Sequence, residues 1–257
     1  MLYETIDAFH EGKFYLVQPS TCGHRSGMDA MILASLVEEQ NPFYLADLGA
    51  GAGAAGLAVA SRLRKAQILL VERSNFMAKF ARKTLTLPAN KELSKRVSLI
   101  ESDVTLTGKK RILSGLTNNF YNHVIMNPPF NDRIDSLTPD KIKEEAHVMI
   151  DDLFEKWIRT ACAIMKPGGQ LSLIAKPQSI TQIVAACEKR IGSIEIIPLY
   201  PREGECAIRI LATGIKGARG KLVMRSPIFL HNSTNQSFST FVNDLINGKA
   251  ALPRLKL

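Results

Sequence analysis

Short apolar runs alternate with longer stretches of helical periodicity along most of the chain. The runs predict strands at 43–48, 66–71, 96–101, 121–126, 170–175, 193–198 and 206–212, and the stretches between them predict helices at 54–63, 75–87, 141–165 and 179–190. A further helix is predicted at 29–39, after a candidate flap at 14–27. Regular alternation indicates a parallel sheet with helices on both faces. No clear helix joins the last two strands, so the last strand is predicted to be antiparallel.

Composition narrows the class of protein. With 257 residues, 46% of them hydrophobic and 22% charged, the chain has the makeup of an ordinary globular protein, which excludes a disordered or collagen-like chain. The four cysteines lie far apart and the histidines are scattered, so neither a disulfide framework nor a metal site is predicted. No apolar signal region and no run of about 18 apolar residues is found, which favours a soluble, cytoplasmic protein.

Basic residues exceed acidic ones. Lys and Arg number 33 against 24 Asp and Glu, which gives a net charge of +9. Part of this excess is clustered along the chain, and clustered positive charge favours nucleic acid as a partner. A generic basic surface is the alternative interpretation. The candidate contacts to nucleic acid are Arg82, Lys83, Lys109, Lys110 and Lys216.

A glycine-rich turn separates the first predicted strand from its helix. Asp47, Gly49, Gly51 and Gly53 have the spacing D-x-G-x-G-x-G. Glycines let a backbone turn tightly and approach a ligand, and the helix that follows presents free N–H groups. Dinucleotide-binding folds share such a turn, but with the spacing G-x-G-x-x-G. The spacing here is instead the one found in proteins that bind S-adenosylmethionine (SAM).

Two carboxylates follow the next two strands. Glu72 ends the second strand, where an acidic side chain can accept hydrogen bonds from both hydroxyls of a ribose. Asp103 follows the third strand, where it can accept from an adenine amino group. Glu72 would serve a dinucleotide equally well, and either carboxylate could instead be a solvated strand end or part of a turn.

The tetrapeptide Asn127, Pro128, Pro129 and Phe130 directly follows the fourth predicted strand. Two prolines fix φ and stiffen the loop. The Asn oxygen and a proline carbonyl can both accept from one planar NH₂ group, and the aromatic ring can stack on the group that carries it. Acceptors held in place can stabilise the charge that develops as the nitrogen attacks. The tetrapeptide therefore predicts chemistry at a planar amine or amide.

These motifs resemble those of the class I amino-methyltransferases, which use SAM. Residues 47–53 look like motif I of that class, and residues 127–130 look like its catalytic motif IV. The sequence is also similar to the bacterial tRNA-valine adenine-N6 methyltransferase family at 18–19, 23–30, 145–147, 166–169, 204–209 and 216–217. Phe130 departs from the Tyr that is commoner in the wider class, and Ser26 and Gly27 depart from the pairing of arginine with phenylalanine in many members.

The resemblance implies a Rossmann-like class I fold with a seven-stranded, mostly parallel sheet whose last strand is antiparallel. It implies one domain over 1–257, with an amino-terminal flap and helix at 1–42, a SAM-binding core at 43–213 and an extension at 214–257. The implied reaction is methylation of adenine N6 in RNA, with tRNA as the favoured substrate. The implied catalytic residues are Asn127, Pro128, Pro129 and Phe130, and the implied SAM contacts are Arg25, Asp47, Gly49, Gly51, Gly53, Glu72, Arg73, Asp103, Val104 and Asn127.

Three alternatives remain open. A protein methyltransferase that modifies a glutamine amide, as in the release-factor enzymes, would use the same acceptors, although the charge of +9 and the lack of a separate amino-terminal helical domain argue against it. A DNA methyltransferase would need a distinct target-recognition domain. A SAM-binding module without catalysis would not need the intact tetrapeptide.

Overall fold

The computed structural model describes residues 4–20, 25–38, 43–129, 142–232 and 237–255, with the backbone alone described for 142–152. Two antiparallel strands, β1 (Glu4–Phe9) and β2 (Phe14–Pro19), form a hairpin. The strands of the central sheet are β3 (Phe43–Leu48), β4 (Ala66–Glu72), β5 (Val97–Glu101), β6 (Tyr121–Met126), β7 (Met165–Ala175), β8 (Ile191–Tyr200), β9 (Arg209–Lys216), β10 (Val223–Met224) and β11 (Ile228–Phe229).

The central sheet has the order β10-β8-β9-β7-β6-β3-β4-β5, with β11 also paired to β8. All seven predicted strands are present, and β9 lies antiparallel between β7 and β8. The predicted class I architecture is therefore confirmed. The sheet differs from the prediction in size, because the two-residue strands β10 and β11 pair parallel to β8 and bring the described sheet to nine strands.

Helices cover both faces of this sheet. They are α1 (Met28–Ser35), α2 (Ala54–Arg62), α3 (Asn75–Thr86), α4 (Lys91–Ser94), α5 (Gly108–Leu113), α6 (Ile142–Ile164), α7 (Ile180–Cys187) and α8 (Thr240–Ile246). Residues of β3 alternate between the two cores: Leu45 packs with α1, α2 and α8, whereas Ala46 and Leu48 pack with α6 and α7. This burial on both faces explains why β3 reads as a continuous apolar run. None of the described helices combines the length and apolar character needed to cross a bilayer.

The amino-terminal hairpin is docked on α3. Phe14, Leu16 and Val17 of β2 are buried, and the Val17 N–H donates to Thr84 Oγ1 at 2.9 Å. Val17 also packs in one cluster with Ala52 of the glycine turn. Residues 14–19 of the segment proposed as a flap therefore form a fixed wall beside the glycine turn, whereas 21–24 of that segment lie outside the described residues.

Candidate functional site

The glycine turn is held against the neighbouring strand and the helix below it. The N–H groups of Gly49 and Ala50 both donate to the Val71 carbonyl, at 2.8 and 3.0 Å. Gly49 has φ +74°, and a Cβ at this position would lie 2.5 Å from Cη2 of Trp157. The Trp157 ring thus packs directly against the turn, and a side chain at position 49 would clash with it.

Glu72 ties the turn to the start of α3. Its Oε2 accepts from the Gly51 N–H at 2.9 Å, and its Oε1 accepts from the Ser74 N–H at 2.7 Å. An ionised carboxylate offers about four acceptor positions, so each oxygen keeps capacity for one more donor. The carboxylate can therefore hold the turn and still accept from two ribose hydroxyls.

Asp47 lies beneath the turn, with 2% of its surface exposed. Its Oδ2 accepts from the Gly56 N–H of α2 at 2.9 Å, so the side chain anchors the helix that begins at the turn. Burial raises the pKa of Asp47 to about 7; the Gly56 hydrogen bond opposes this shift and the charge of Glu72 adds to it. Gly56 was not among the predicted site residues. The sequence indicates this role by its position, because Gly56 lies in the first turn of α2, where backbone N–H groups lack partners within the helix and need another acceptor.

The raised pKa of Asp47 predicts a pH-dependent stability. A carboxyl group whose pKa is about 7 when folded, against 3.8 ordinarily, binds its proton more tightly in the native state, so stability is lost as pH rises between these values. Asp47→Asn keeps an acceptor for Gly56 and removes the charge. Urea unfolding should show this variant to be more stable than the wild type by about 1 kcal/mol or more at pH 8.5, with a smaller difference at pH 5. An equal difference at both pH values would contradict the prediction.

Asp103 and its neighbours form the next part of the site. Asp103 Oδ1 accepts from the N–H and the hydroxyl of Thr105, both at 2.8 Å, and Arg73 Nη1 lies 3.6 Å from Oδ2. Partial burial acts to raise the pKa of Asp103, but the Thr105 hydrogen bonds and the Arg73 charge outweigh it and the pKa is lowered. Asp103 is therefore ionised as well as turn-forming. Val104 is buried in the core with α6, so its side chain is not available to a ligand.

Asn127 follows β6 at the same edge of the sheet. Met126 pairs with Leu48 of β3, which places Asn127 beside the glycine turn. Its Oδ1 is buried and has no hydrogen-bond partner among the described residues. Pro128 is buried and Pro129 exposed, whereas Phe130 lies outside the described residues. An unpaired buried acceptor costs free energy unless a ligand satisfies it, so the Asn127 amide is the strongest structural sign of a binding site.

Arg25, predicted to contact SAM, lies against the amino-terminal hairpin rather than at the glycine turn. Its guanidinium donates to Thr5 Oγ1 at 3.0 Å, to the Pro19 carbonyl at 2.9 Å and to Asp7 at 2.8 Å. These contacts join Arg25 to the amino-terminal hairpin, and the structure gives it no contact with the glycine turn or Asn127.

The five predicted nucleic-acid contacts do not form one surface. Arg82 forms an ion pair with Glu101, and Lys83 forms one with Glu4. Lys216 donates to Asn119 Oδ1 at 2.7 Å and to the Met165 carbonyl at 2.8 Å, and partial burial lowers its pKa. Lys109 and Lys110 are exposed on α5, which begins shortly after Asp103. Of the five, these two are the ones that the described structure leaves beside the candidate site without an acidic partner.

Comparison with known proteins identifies the family. The family model described as methyltransferase small domain matches residues 25–197, more than half of the chain. The chain belongs to this methyltransferase family. Among curated proteins, this chain is 24% identical over 201 residues to a tRNA1(Val) (adenine(37)-N6)-methyltransferase of Shewanella putrefaciens. The match covers 77% of this chain and 80% of that protein. The motifs predicted a resemblance to the class I methyltransferases and to the tRNA-valine adenine-N6 methyltransferase family, and both comparisons confirm that resemblance.

Solved structures agree with the family and the fold. One crystal structure is that of a protein from Agrobacterium tumefaciens described as a predicted O-methyltransferase. Its sequence is 50% identical to this chain, the TM-score is 0.78, and the match covers 88% of this chain and 99% of that one. The fold is also similar, at 18% identity and a TM-score of 0.54, to a Thermus thermophilus 16S rRNA N2 G1207 methyltransferase in complex with AdoMet and guanosine, covering 84% of this chain and 51% of that one. Family and fold together make the protein a SAM-dependent methyltransferase, as the motifs predicted.

Proposed function

We propose that this methyltransferase transfers a methyl group from SAM to the exocyclic N6 of adenine in RNA, with tRNA as its substrate. The observation that carries the proposal is the buried Oδ1 of Asn127 at the carboxyl end of β6, which has no hydrogen-bond partner in the part of the chain that the structure describes. The proposal has three parts: where SAM is held, which chemical group is methylated, and which molecule carries that group.

The residues at the glycine turn fit SAM. Glu72 keeps acceptor capacity for the ribose hydroxyls, Asp103 is an ionised carboxylate at the next strand end, and Gly51 has open space where a Cβ would stand, with Met77 Cε the nearest atom at 3.8 Å. When bound, SAM supplies a methyl group on a positively charged sulfur. Asp47 contributes by anchoring α2 below the turn, and Arg73 and Val104 flank the adenine position. Arg25 would have to leave the hairpin to contact SAM.

The acceptors at Asn127 suit an NH₂ group better than a hydroxyl. An exocyclic amine has two hydrogens, one for Asn127 Oδ1 and one for the Pro128 carbonyl, which the prolines hold in place. A hydroxyl has one hydrogen and would leave one of the two acceptors unpaired, which costs about 1–3 kcal/mol. This argument favours N-methylation over the O-methylation attributed to the Agrobacterium relative. Phe130 would stack on the base.

RNA is favoured over protein as the substrate. The net charge is +9, and a curated relative acts on tRNA. The target base must leave its stack to reach Asn127, which costs less in an RNA loop than in a duplex. Lys109 and Lys110, which are exposed on α5, would contact the phosphates beside the flipped base. A glutamine amide offers the same planar NH₂ group and is the alternative substrate.

Incubation with isotope-labelled SAM tests the proposal. Bulk bacterial tRNA, a peptide chain release factor and duplex DNA are supplied separately, and the products are digested and analysed by mass spectrometry. We expect label in N6-methyladenosine from tRNA. Label in N5-methylglutamine would establish the alternative, and label on a ribose or other oxygen would contradict the argument from Asn127. Label in DNA alone would exclude RNA as the substrate.

A further inference from the structure

A groove opens at the amino edge of the sheet, at the end of the strands remote from Asn127. Six-residue parallel strands such as β3 and β6 span roughly 20 Å, so the groove is about that far from the reacting group. It has a volume of about 280 Å³ and is lined by Tyr44, Gln67, Leu69, Ser98, Phe120 and Tyr121. This volume lies near the lower end of small-ligand sites, which hold roughly 300–1,000 Å³. The groove can therefore accept one small planar group.

The groove exists because helix α5 is short. This helix has six residues, and the connection after it reaches β5 at Ile100, which lies 3.4 Å from where a Cβ of Gly115 would stand. Closer to the amino edge, Gln67 of β4 and Ser98 of β5 remain exposed. A sheet face without a covering helix is ordinarily lined by polar residues, and these two provide an amide and a hydroxyl on the floor of the groove.

Phe120 forms one wall, and the structure holds it in place. Its ring centroid lies 4.8 Å from that of Tyr44 and 5.1 Å from that of Tyr121, yet 40% of the residue remains exposed. The Phe120 N–H donates to the Ile164 carbonyl at 2.7 Å, and the neighbouring Asn119 accepts from Lys216 at 2.7 Å. The loop thus holds a partly exposed aromatic ring in a fixed orientation, which lowers the entropic cost of binding a flat partner. Lys216, predicted to contact nucleic acid directly, instead braces this loop.

The amino edge is rich in positive charge. Lys95 lines the groove, and Lys166 Nζ lies 5.7 Å from the centroid of the Tyr44 ring. The chain also turns at this edge before β4, before β8 and after β9, and each turn carries two basic residues. They are Arg64 and Lys65 before β4, Lys189 and Arg190 before β8, and Arg219 and Lys221 after β9. Two of these cations already have acidic partners, since Lys95 forms an ion pair with Glu92 and Arg190 forms one with Glu155. Among the described residues, neither Lys65 nor Lys166 has an acidic partner, so these two lysines remain available to a polyanion near the groove.

We propose that this groove binds an unpaired base of the RNA substrate, stacked on Phe120, while Lys65 and Lys166 contact its flanking phosphates. The inference rests on the proposed function and adds a second RNA contact, remote from the methylated adenine. An aromatic face with lysines around it is the usual arrangement for single-stranded nucleic acid. A second copy of the chain would bring two positive edges together, and an apolar peptide side chain would offer no hydrogen-bond partner to the Gln67 amide. A folded RNA is long enough to reach both edges of the sheet.

Replacing Phe120 by leucine tests the stacking. Phe120→Leu keeps apolar bulk and removes the ring, so affinity for bulk bacterial tRNA should fall about tenfold in filter binding. SAM affinity and the melting temperature should not change, and neither should affinity for heparin, which has no bases. In methylation assays the variant should show a raised KM for tRNA and an unchanged kcat. Phe241→Leu is the matched control, because Phe241 is similarly exposed, at 46%, on α8.

The lysines provide a second, independent readout. Lys65→Ala and Lys166→Ala should each reduce the slope of log affinity against log salt by about one unit. Unchanged tRNA affinity in Phe120→Leu together with an unchanged salt slope in the lysine variants would overturn the inference and leave the proposed function intact. Weakened tRNA binding in these variants would support it even if the methylated product proved not to be N6-methyladenosine. If the wild type bound no tRNA at low salt, both proposals would fail.

Discussion

Asn127→Ala is expected to lower the rate of methyl transfer about 10²–10³-fold while SAM affinity stays close to that of the wild type. The Asn127 Oδ1 is buried and has no partner among the described residues, so its capacity is available to the incoming NH₂ group. Alanine removes this acceptor and leaves the two prolines that shape the loop. The measurement is single-turnover transfer to bulk tRNA, read as N6-methyladenosine, with SAM binding measured by calorimetry.

Two further variants define what the Asn127 amide contributes. Asn127→Asp has a side chain of the same length and keeps an oxygen that can accept a hydrogen bond. It should therefore keep more activity than Asn127→Ala, because the proposed role of the Asn127 side chain is to accept a hydrogen bond from the NH₂ group. Asn243→Ala, at an exposed position on α8, should react at the wild-type rate and controls for a general effect of losing an Asn. If Asn127→Ala retained most of its rate, the loop would be a rigid element without a part in the chemistry.

Glu72→Ala is expected to weaken SAM binding by at least about tenfold. The loss should be larger if the hydrogen bonds from both ribose hydroxyls to the Glu72 carboxylate are removed. Each hydrogen bond to a charged group contributes about 1.5–3 kcal/mol, and about 1.4 kcal/mol corresponds to a factor of ten. The structure adds a second cause, since the Gly51 and Ser74 N–H groups lose the carboxylate that holds the turn and the start of α3. Calorimetric titration with SAM measures the effect.

Glu72→Gln separates the two causes. A glutamine keeps one oxygen acceptor and loses the charge, so it should bind SAM with an affinity between those of the wild type and Glu72→Ala. Thermal melting in the absence of SAM should show a loss of stability for Glu72→Ala, because the turn is loosened before any ligand binds. Glu188→Ala removes an exposed carboxylate beyond α7 and should change neither quantity. SAM affinity unaltered by Glu72→Ala would remove Glu72 from the proposed site.

The sequence alone determined the seven strands β3 to β9 of the sheet, the glycine turn and the position of the Asn127 loop. Strand β3 runs over Phe43–Leu48 as predicted, because a strand buried on both faces is a short apolar run bounded by polar residues. The antiparallel β9 also followed from a local feature, the lack of a helix before it. These features are local because periodicity, proline and glycine act on the backbone of their own segment. The order of the motifs along alternating strands then places them at one edge of the sheet.

Only the tertiary structure decided which side chains are already engaged. The hairpin β1–β2 was not predicted, because β1 has no fully buried residue and β2 is buried by residues far away in sequence, such as Thr84. Arg82 and Lys83 form part of a positive cluster along the chain, but their acidic partners come from β5 and β1. Phe120 and Gln67 carry no sequence signal, because an exposed aromatic becomes a binding wall only when distant strands supply the floor beside it. Pairing and exposure depend on contacts between remote segments, which no local pattern records.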